Sequence, residues 1–182
     1  IELEIVTSSR YASLSRREAD LLITLNRPTS GRLVARKLAD YRLCLWTSKS
    51  YISGAPKIEH VTDLKDHNLI GYVDDLIYTP QLRYLDQLVE YGRVTLRSTS
   101  LVGQLEATRS GLGLCVLPCF LAQSHEDLVR ILPEDVCFER EFWIVQHEDL
   151  RNVARVRAVF DFIVSVVREN QLLLQGKNVK NL

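Results

Sequence analysis

Short apolar runs separated by stretches of helical periodicity follow one another along the whole chain, with no internal repeat and no low-complexity segment. The pattern predicts strands over residues 3–7, 21–25, 42–47, 68–73, 94–98, 114–118 and 141–147. Helices are expected over 11–17, 80–88, 100–110 and 120–124, with a long one from 152 to about 173. Strands alternating with helices favour βαβ units and a mainly parallel sheet. In the last helix Val153, Val156, Phe160, Ile163, Val164 and Val167 keep the i, i+3, i+4, i+7 rhythm, so one apolar stripe must lie against a sheet. From Glu169 onward the chain is more polar and contains Gly176, Lys177 and Lys180, and it is expected to fray into a tail.

The residues that end these strands carry the first functional hint. In an open parallel sheet the ligand crevice lies outside the carboxyl ends of the strands. Here those ends hold Thr7-Ser8-Ser9, Asn26-Arg27, Thr47-Ser48, Asp74-Asp75 and Ser98-Thr99-Ser100. Each is also ordinary turn and N-cap chemistry, but several at one end of a sheet point to a polar small-molecule cleft. Ser98-Thr99-Ser100 opens a helix whose first amides have no partner within the helix, an arrangement that attracts carboxylates and phosphates.

Composition narrows the class. With 182 residues, 46% apolar and 25% charged, the chain has the make-up of a globular protein with a sizeable core. Lys and Arg (23) balance Asp and Glu (23), which argues against a self-sufficient nucleic-acid binder. No apolar run approaches the roughly 18 residues of a membrane span. The chain has no Met, and it opens on Ile1-Glu2-Leu3-Glu4-Ile5-Val6, which alternates like the middle of a strand; it is expected to be a segment of a longer polypeptide.

The chemical motifs resolve into structural ones. Gly111-Leu112-Gly113 follows a helix and precedes a strand, the reverse of a dinucleotide-binding loop, and is read as a helix C-cap. Cys44 and Cys115 lie inside apolar runs, and all four cysteines are expected to be reduced, as in a cytosolic protein. Cys115, Cys119 and His125 lack a second ligand pair for zinc, so metal is not expected; a thiol switch between Cys115 or Cys119 and another cysteine is the better form of any chemistry there. His60, His67, His125 and His147 are scattered, with His67 expected at the surface or as a cap. Asp74-Asp75 and Glu148-Asp149 are sequence neighbours and do not face each other. No nucleophile elbow or metalloprotease motif occurs, so no catalytic residue is assigned and no enzyme is expected.

An ordered series of blocks then resembles a known family. Leu3-Glu4-Ile5-Val6-Thr7, Glu18-Ala19-Asp20-Leu21-Leu22-Ile23, Leu45-Trp46-Thr47-Ser48-Lys49-Ser50-Tyr51-Ile52, Asp63-Leu64 and His67-Asn68-Leu69-Ile70 are similar to the effector-binding domain of LysR-type transcriptional regulators. The series continues through Ala107-Thr108-Arg109-Ser110-Gly111-Leu112-Gly113-Leu114-Cys115-Val116-Leu117-Pro118, Leu128-Val129-Arg130-Ile131-Leu132-Pro133 and Phe142-Trp143-Ile144-Val145, over about residues 2–165.

This resemblance implies an α/β fold of the type 2 periplasmic-binding-protein kind, N-terminally truncated, with two Rossmann-like lobes joined by crossing strands at 42–47 and 141–147. Residues 1–46 with 147–170 would form the first lobe, 47–146 the second, and 171–182 a tail. A small, often anionic metabolite would bind between the lobes, and Ser8, Ser9, Thr24, Asn26, Tyr72, Asp74, Ser98, Thr99 and Ser100 match the family's cleft-lining positions. No cofactor or metal is implied. The partners implied are the effector, a homo-oligomer (dimer or tetramer), and DNA through a helix-turn-helix domain outside this chain, all in the cytoplasm and without a membrane. The alternatives are a solute-binding protein of a transport system, which shares the fold, and an enzyme built on it.

Overall fold

A computed structural model describes residues 1–7, 19–88 and 90–177. Ser8, Ser9 and the helix expected over 11–17 lie outside the described residues. Seven strands are described: β1 (Leu21–Thr24), β2 (Leu33–Ser48), β3 (Asn68–Gly71), β4 (Arg93–Arg97), β5 (Leu114–Pro118), β6 (Leu128–Ile131) and β7 (Cys137–His147). The helices are α1 (Lys49–Gly54), α2 (Leu101–Arg109), α3 (Cys119–Ala122), α4 (Ala154–Glu169) and α5 (Gln171–Leu174), and 3₁₀ segments include Pro80–Gln87. No helix among the described residues is long and apolar enough to cross a membrane.

The strands form one sheet in the order β1-β7-β2-β5-β3-β4, with β6 also paired to β2. Only β3 with β4 and β3 with β5 are parallel, which corrects the expectation of a mainly parallel sheet. The reason lies in β2 and β7, which run antiparallel to each other from Leu33↔His147 to Cys44↔Cys137, while β2 also runs antiparallel to β5 and β6. Both are longer than their apolar runs suggest, because Arg36, Lys37, Asp40, Arg42, Glu139 and Glu141 continue them on exposed or half-buried positions. Those charges pair across the ladder, Lys37 Nζ to Glu141 Oε1 at 2.6 Å and Arg42 Nη2 to Glu139 Oε1 at 2.9 Å.

Period-2 alternation divides the core into two layers. Tyr41, Leu43 and Leu45 of β2, Leu69 of β3, and Leu114 and Val116 of β5 face one layer, which Leu64, Leu82, Tyr84, Leu85 and Leu132 complete. Cys44, Trp46, Ile70, Cys115 and Leu117 face the other, beneath Leu105 of α2 and Cys119 and Ala122 of α3. The α4 stripe reads as expected: Val156 is buried and Val153, Phe160, Ile163, Val164 and Val167 are half-buried.

Three further expectations are corrected. Residues 3–7 form no strand; Ile1, Leu3, Ile5 and Val6 are exposed, and alternation without a paired neighbour cannot satisfy a strand's backbone. Directly after Glu169 the chain does not fray, because α5 packs on β2 and α3, Leu174 joins the first core layer, and Gln123 Nε2 donates to the Leu173 carbonyl at 3.3 Å; residues 178–182 of the expected tail lie outside the described residues. The four cysteines are not all reduced: Cys44 and Cys137, opposite each other in register, form a disulfide.

Candidate functional site

The parallel strands β3, β4 and β5 end at Gly71, Arg97 and Pro118, and outside those ends lies a cavity of about 280 Å³. Its wall takes Leu22, Ile23, Thr24 and Leu25 from the end of β1, Tyr41 and Leu43 from β2, and Phe142 from β7. Tyr72, Tyr78, Leu82, Tyr84, Leu101, Pro118 and Phe120 complete the lining. None of these side chains is charged. Tyr41 stacks on Phe142 with ring centroids 4.2 Å apart and meets Phe120 edge-on at 6.1 Å, while Tyr72 meets Tyr84 edge-on at 6.2 Å.

Burial pushes the Tyr72 phenol up to about 12 and raises those of Tyr41 and Tyr84 further. All three therefore remain protonated donors at neutral pH. The buried Tyr84 hydroxyl interacts with that of Tyr72. Two hydroxyls in contact use only one O–H between them, so the other is available to an acceptor brought by a ligand.

At Leu25 the chamber adjoins a second, more open hollow of about 360 Å³ lined by Leu25, Asn26, Arg27, Pro80, Gln81, Glu141 and Trp143. The Arg27 guanidinium lies over the Trp143 ring at 5.5 Å, and Trp143 Nε1 donates to Glu141 Oε2 at 3.0 Å. Asn26 Nδ2 donates to Thr79 Oγ1 at 2.6 Å, and Thr79 in turn donates to Gln81. This polar relay ties the loop after β1 to the segment across the cleft.

The residues expected at the site divide accordingly. Thr24 and Tyr72 stand in the chamber wall, and Asn26 stands at its open neighbour. Asp74 is exposed and paired with Arg97, Oδ2 to Nη2 at 3.2 Å. Ser98 Oγ accepts from Ser100 N at 3.1 Å and Ser100 Oγ caps α2 by accepting from Gly103 N at 3.1 Å, so these hydroxyls hold the turn while Leu101, the next residue, lines the chamber. Thr99 is exposed beside them. Ser8 and Ser9 lie outside the described residues.

Three other polar residues lie elsewhere than expected. Thr47 and Ser48 sit at the far end of the sheet because β2 runs against β3 and β5; Thr47 Oγ1 donates to Gly113 O at 3.0 Å and Ser48 caps α1. His67 is buried, its Nδ1 3.2 Å from Tyr51 Oη, and burial lowers its pKa. Its backbone N–H does cap, donating to the Leu64 carbonyl at 3.0 Å.

The lining residues missed by reading the sequence include Tyr41, Leu43, Tyr78, Leu82, Tyr84, Phe120 and Phe142. Tyr41 and Leu43 share one face of β2 by simple alternation, and that face was legible. Among the described residues no group of three or more His, Cys, Asp or Glu is placed to hold a metal.

The chain belongs to the LysR substrate-binding domain family, whose model matches residues 1–168, and so has the type 2 periplasmic-binding-protein-like fold of regulatory domains that are not enzymes. It is similar to a Mau operon transcriptional activator of Paracoccus denitrificans, 25% identical over 169 residues that span 93% of this chain and 56% of that protein. It thus spans about half the length of the curated relative it matches.

Among solved structures, full-length AphB of Vibrio cholerae, a virulence activator, matches with a TM-score of 0.72 at 22% identity over 91% of this chain and 58% of that one. The regulatory domain of CrgA from Neisseria meningitidis matches with a TM-score of 0.68 at 22% identity over 85% of this chain and 78% of that one. The CcmR regulatory domain of Synechocystis, solved with 2-PG, matches with a TM-score of 0.65 at 16% identity over 85% and 76% of the two chains. These likenesses support the fold.

Proposed function

We propose that this chain is the effector-sensing part of a cytoplasmic LysR-type transcriptional regulator, and that the tyrosine-lined chamber is where its effector binds. Binding that favours one arrangement of the two lobes shifts the geometry of a homo-oligomer and through it the grip of a separate helix-turn-helix domain on DNA. In this reading residues 1–46 with 147–170 form one lobe and 47–146 the other, and Thr24, Asn26, Tyr72, Asp74 and Ser98 to Ser100 border the cleft between them, with Ser8 and Ser9 assigned by resemblance alone. The single observation that carries the site is an uncharged aromatic chamber outside the ends of β3, β4 and β5 whose lining includes the protonated phenols of Tyr41, Tyr72 and Tyr84.

That lining favours a small molecule with a flat apolar body and a hydrogen-bond acceptor. An anionic group on the same molecule would lie at the open hollow beside Arg27. Calorimetry with a panel of benzoates, phenols and short aliphatic acids tests this. Benzoates or phenols binding one per chain, with Tyr84→Phe weakening them, is the expected result; binding of aliphatic acids alone, indifferent to Tyr84→Phe, overturns it.

A further inference from the structure

Three of the four cysteines converge at one point in the second core layer. Cys44 on β2 and Cys137 on β7 are direct cross-strand partners, their Cα atoms 4.4 Å apart, the spacing of a pair that exchanges no ladder hydrogen bonds, and their sulfurs are bonded. The free thiol of Cys119, at the start of α3, lies with its Sγ 3.4 Å from Cys44 Sγ. On the other side of Cys119, Arg130 Nη2 stands 3.3 Å from the same sulfur, with its guanidinium laid over the Trp46 ring at 5.2 Å. Cys44 and Cys119 are fully buried, whereas Cys137 is partly exposed. The fourth cysteine, Cys115, is buried against Gln104 and its thiol is pushed up to about 12 by burial.

We propose that Cys44, Cys137 and Cys119 form a thiol–disulfide exchange site, in which the disulfide moves between Cys44–Cys137 and Cys44–Cys119. The Cys119 thiol gives up its proton and the thiolate attacks Cys44 Sγ. The Cys119–Cys44 bond forms as the Cys44–Cys137 bond breaks, and the electron pair leaves on Cys137 Sγ, which takes up a proton. One disulfide and one thiol stand on each side of the step, so no oxidant or reductant is consumed. Burial raises the pKa of Cys119 and the neighbouring Arg130 opposes that rise, so the thiol is held protonated at rest beside a cation that stabilises its thiolate once formed.

The exchange moves the free thiol from a buried position to a partly exposed one, where small thiols and electrophiles reach it. It also moves a covalent tether. Cys119 lies between Pro118 and Phe120, both in the chamber wall, and a Cβ on Gly176 would come within 2.6 Å of its own Cβ. A bond from Cys44 to Cys119 therefore fixes α3 to the sheet beneath the chamber and beneath the C-terminal segment. The consequence for the chamber rests on the proposed effector site; the exchange itself does not.

The test is to incubate the oxidised chain under native conditions, trap it with N-ethylmaleimide, and map its peptides by mass spectrometry without reduction. Two linked species are expected, Cys44–Cys137 with label on Cys119 and Cys44–Cys119 with label on Cys137. Cys119→Ser should lose the second linkage and the Cys137 label together, Arg130→Gln should slow their appearance, and Cys115→Ser should change neither. A wild-type chain that holds only Cys44–Cys137, with Cys137 never labelled, overturns the proposal, as does Cys137 labelling that persists in Cys119→Ser. None of these readouts needs an effector, so they stand or fall separately from the binding experiment.

Discussion

Tyr84 lines the chamber with an aromatic ring, as Tyr41 and Tyr72 do, and its buried hydroxyl interacts with that of Tyr72. Replacing it by Phe removes one hydroxyl of that pair and keeps the ring. Tyr84→Phe is expected to lower stability by no more than about 1 kcal/mol, while weakening a ligand that supplies an acceptor by about 0.5–1.5 kcal/mol, measured by calorimetry on the same protein. Loss of stability with unchanged affinity would put the hydroxyl in a structural role. Ser100 differs, because its hydroxyl is already committed to Gly103 N at the start of α2. Ser100→Ala should cost about 1 kcal/mol in chemical denaturation, whereas Thr99→Ala, exposed and uncommitted to the cap, should cost little. If these positions border the effector, both variants also bind it less tightly.

Among the elements, the passage from α2 to β5 shows how backbone demands select sequence. Gly111 follows the C-cap with φ +81, its N–H donates to the Thr108 carbonyl, and the Leu112 N–H donates to the Ala107 carbonyl, the paired bonds that close a helix with a left-handed residue. Two residues later, a Cβ on Gly113 would lie 2.4 Å from the Asn68 carbonyl oxygen, where β5 comes against β3. Gly113→Ala is expected to destabilise the protein by about 3 kcal/mol, read as a lowered denaturation midpoint with an unchanged slope, because a backbone atom cannot move aside as a side chain can. The C-cap was legible from Gly111 alone. The tight approach at Gly113 was not, since it depends on which strand lies beside β5.

On the scale of the whole molecule, two ionisation and redox effects can be read as stability. The Tyr72 phenol titrates near 10 when exposed and at about 12 when folded, so between those values the unfolded chain has lost a proton that the native one retains. Its contribution is thus fully present below pH 10 and is lost as the pH rises toward 12; Tyr41 and Tyr84 act in the same direction. Phenolate absorbance followed against pH should therefore show a late group of tyrosines ionising together with loss of tertiary circular dichroism. The Cys44–Cys137 bond spans 93 residues, and its reduction should cost about 2–4 kcal/mol, seen as a lower melting temperature in the presence of a thiol reductant.

The alternation of apolar runs determined the core. Leu43, Cys44, Leu45 and Trp46 were bound to divide between two faces of a strand, and the α4 stripe from Val153 to Val167 was bound to seek a sheet, because side-chain direction follows from backbone period alone. The ordered family blocks pointed, by resemblance, to the family and to its type 2 periplasmic-binding-protein-like α/β fold. What tertiary structure decided was direction and company. Chain direction within a sheet leaves no mark on composition, so only the folded molecule showed β2 and β7 running antiparallel, which sends Thr47 and Ser48 to the far end of the sheet and turns Tyr41 and Leu43 toward the ends of β3, β4 and β5. Contacts across 75 and 93 residues are equally silent in sequence, because only packing brings Cys119 and Cys137 to Cys44.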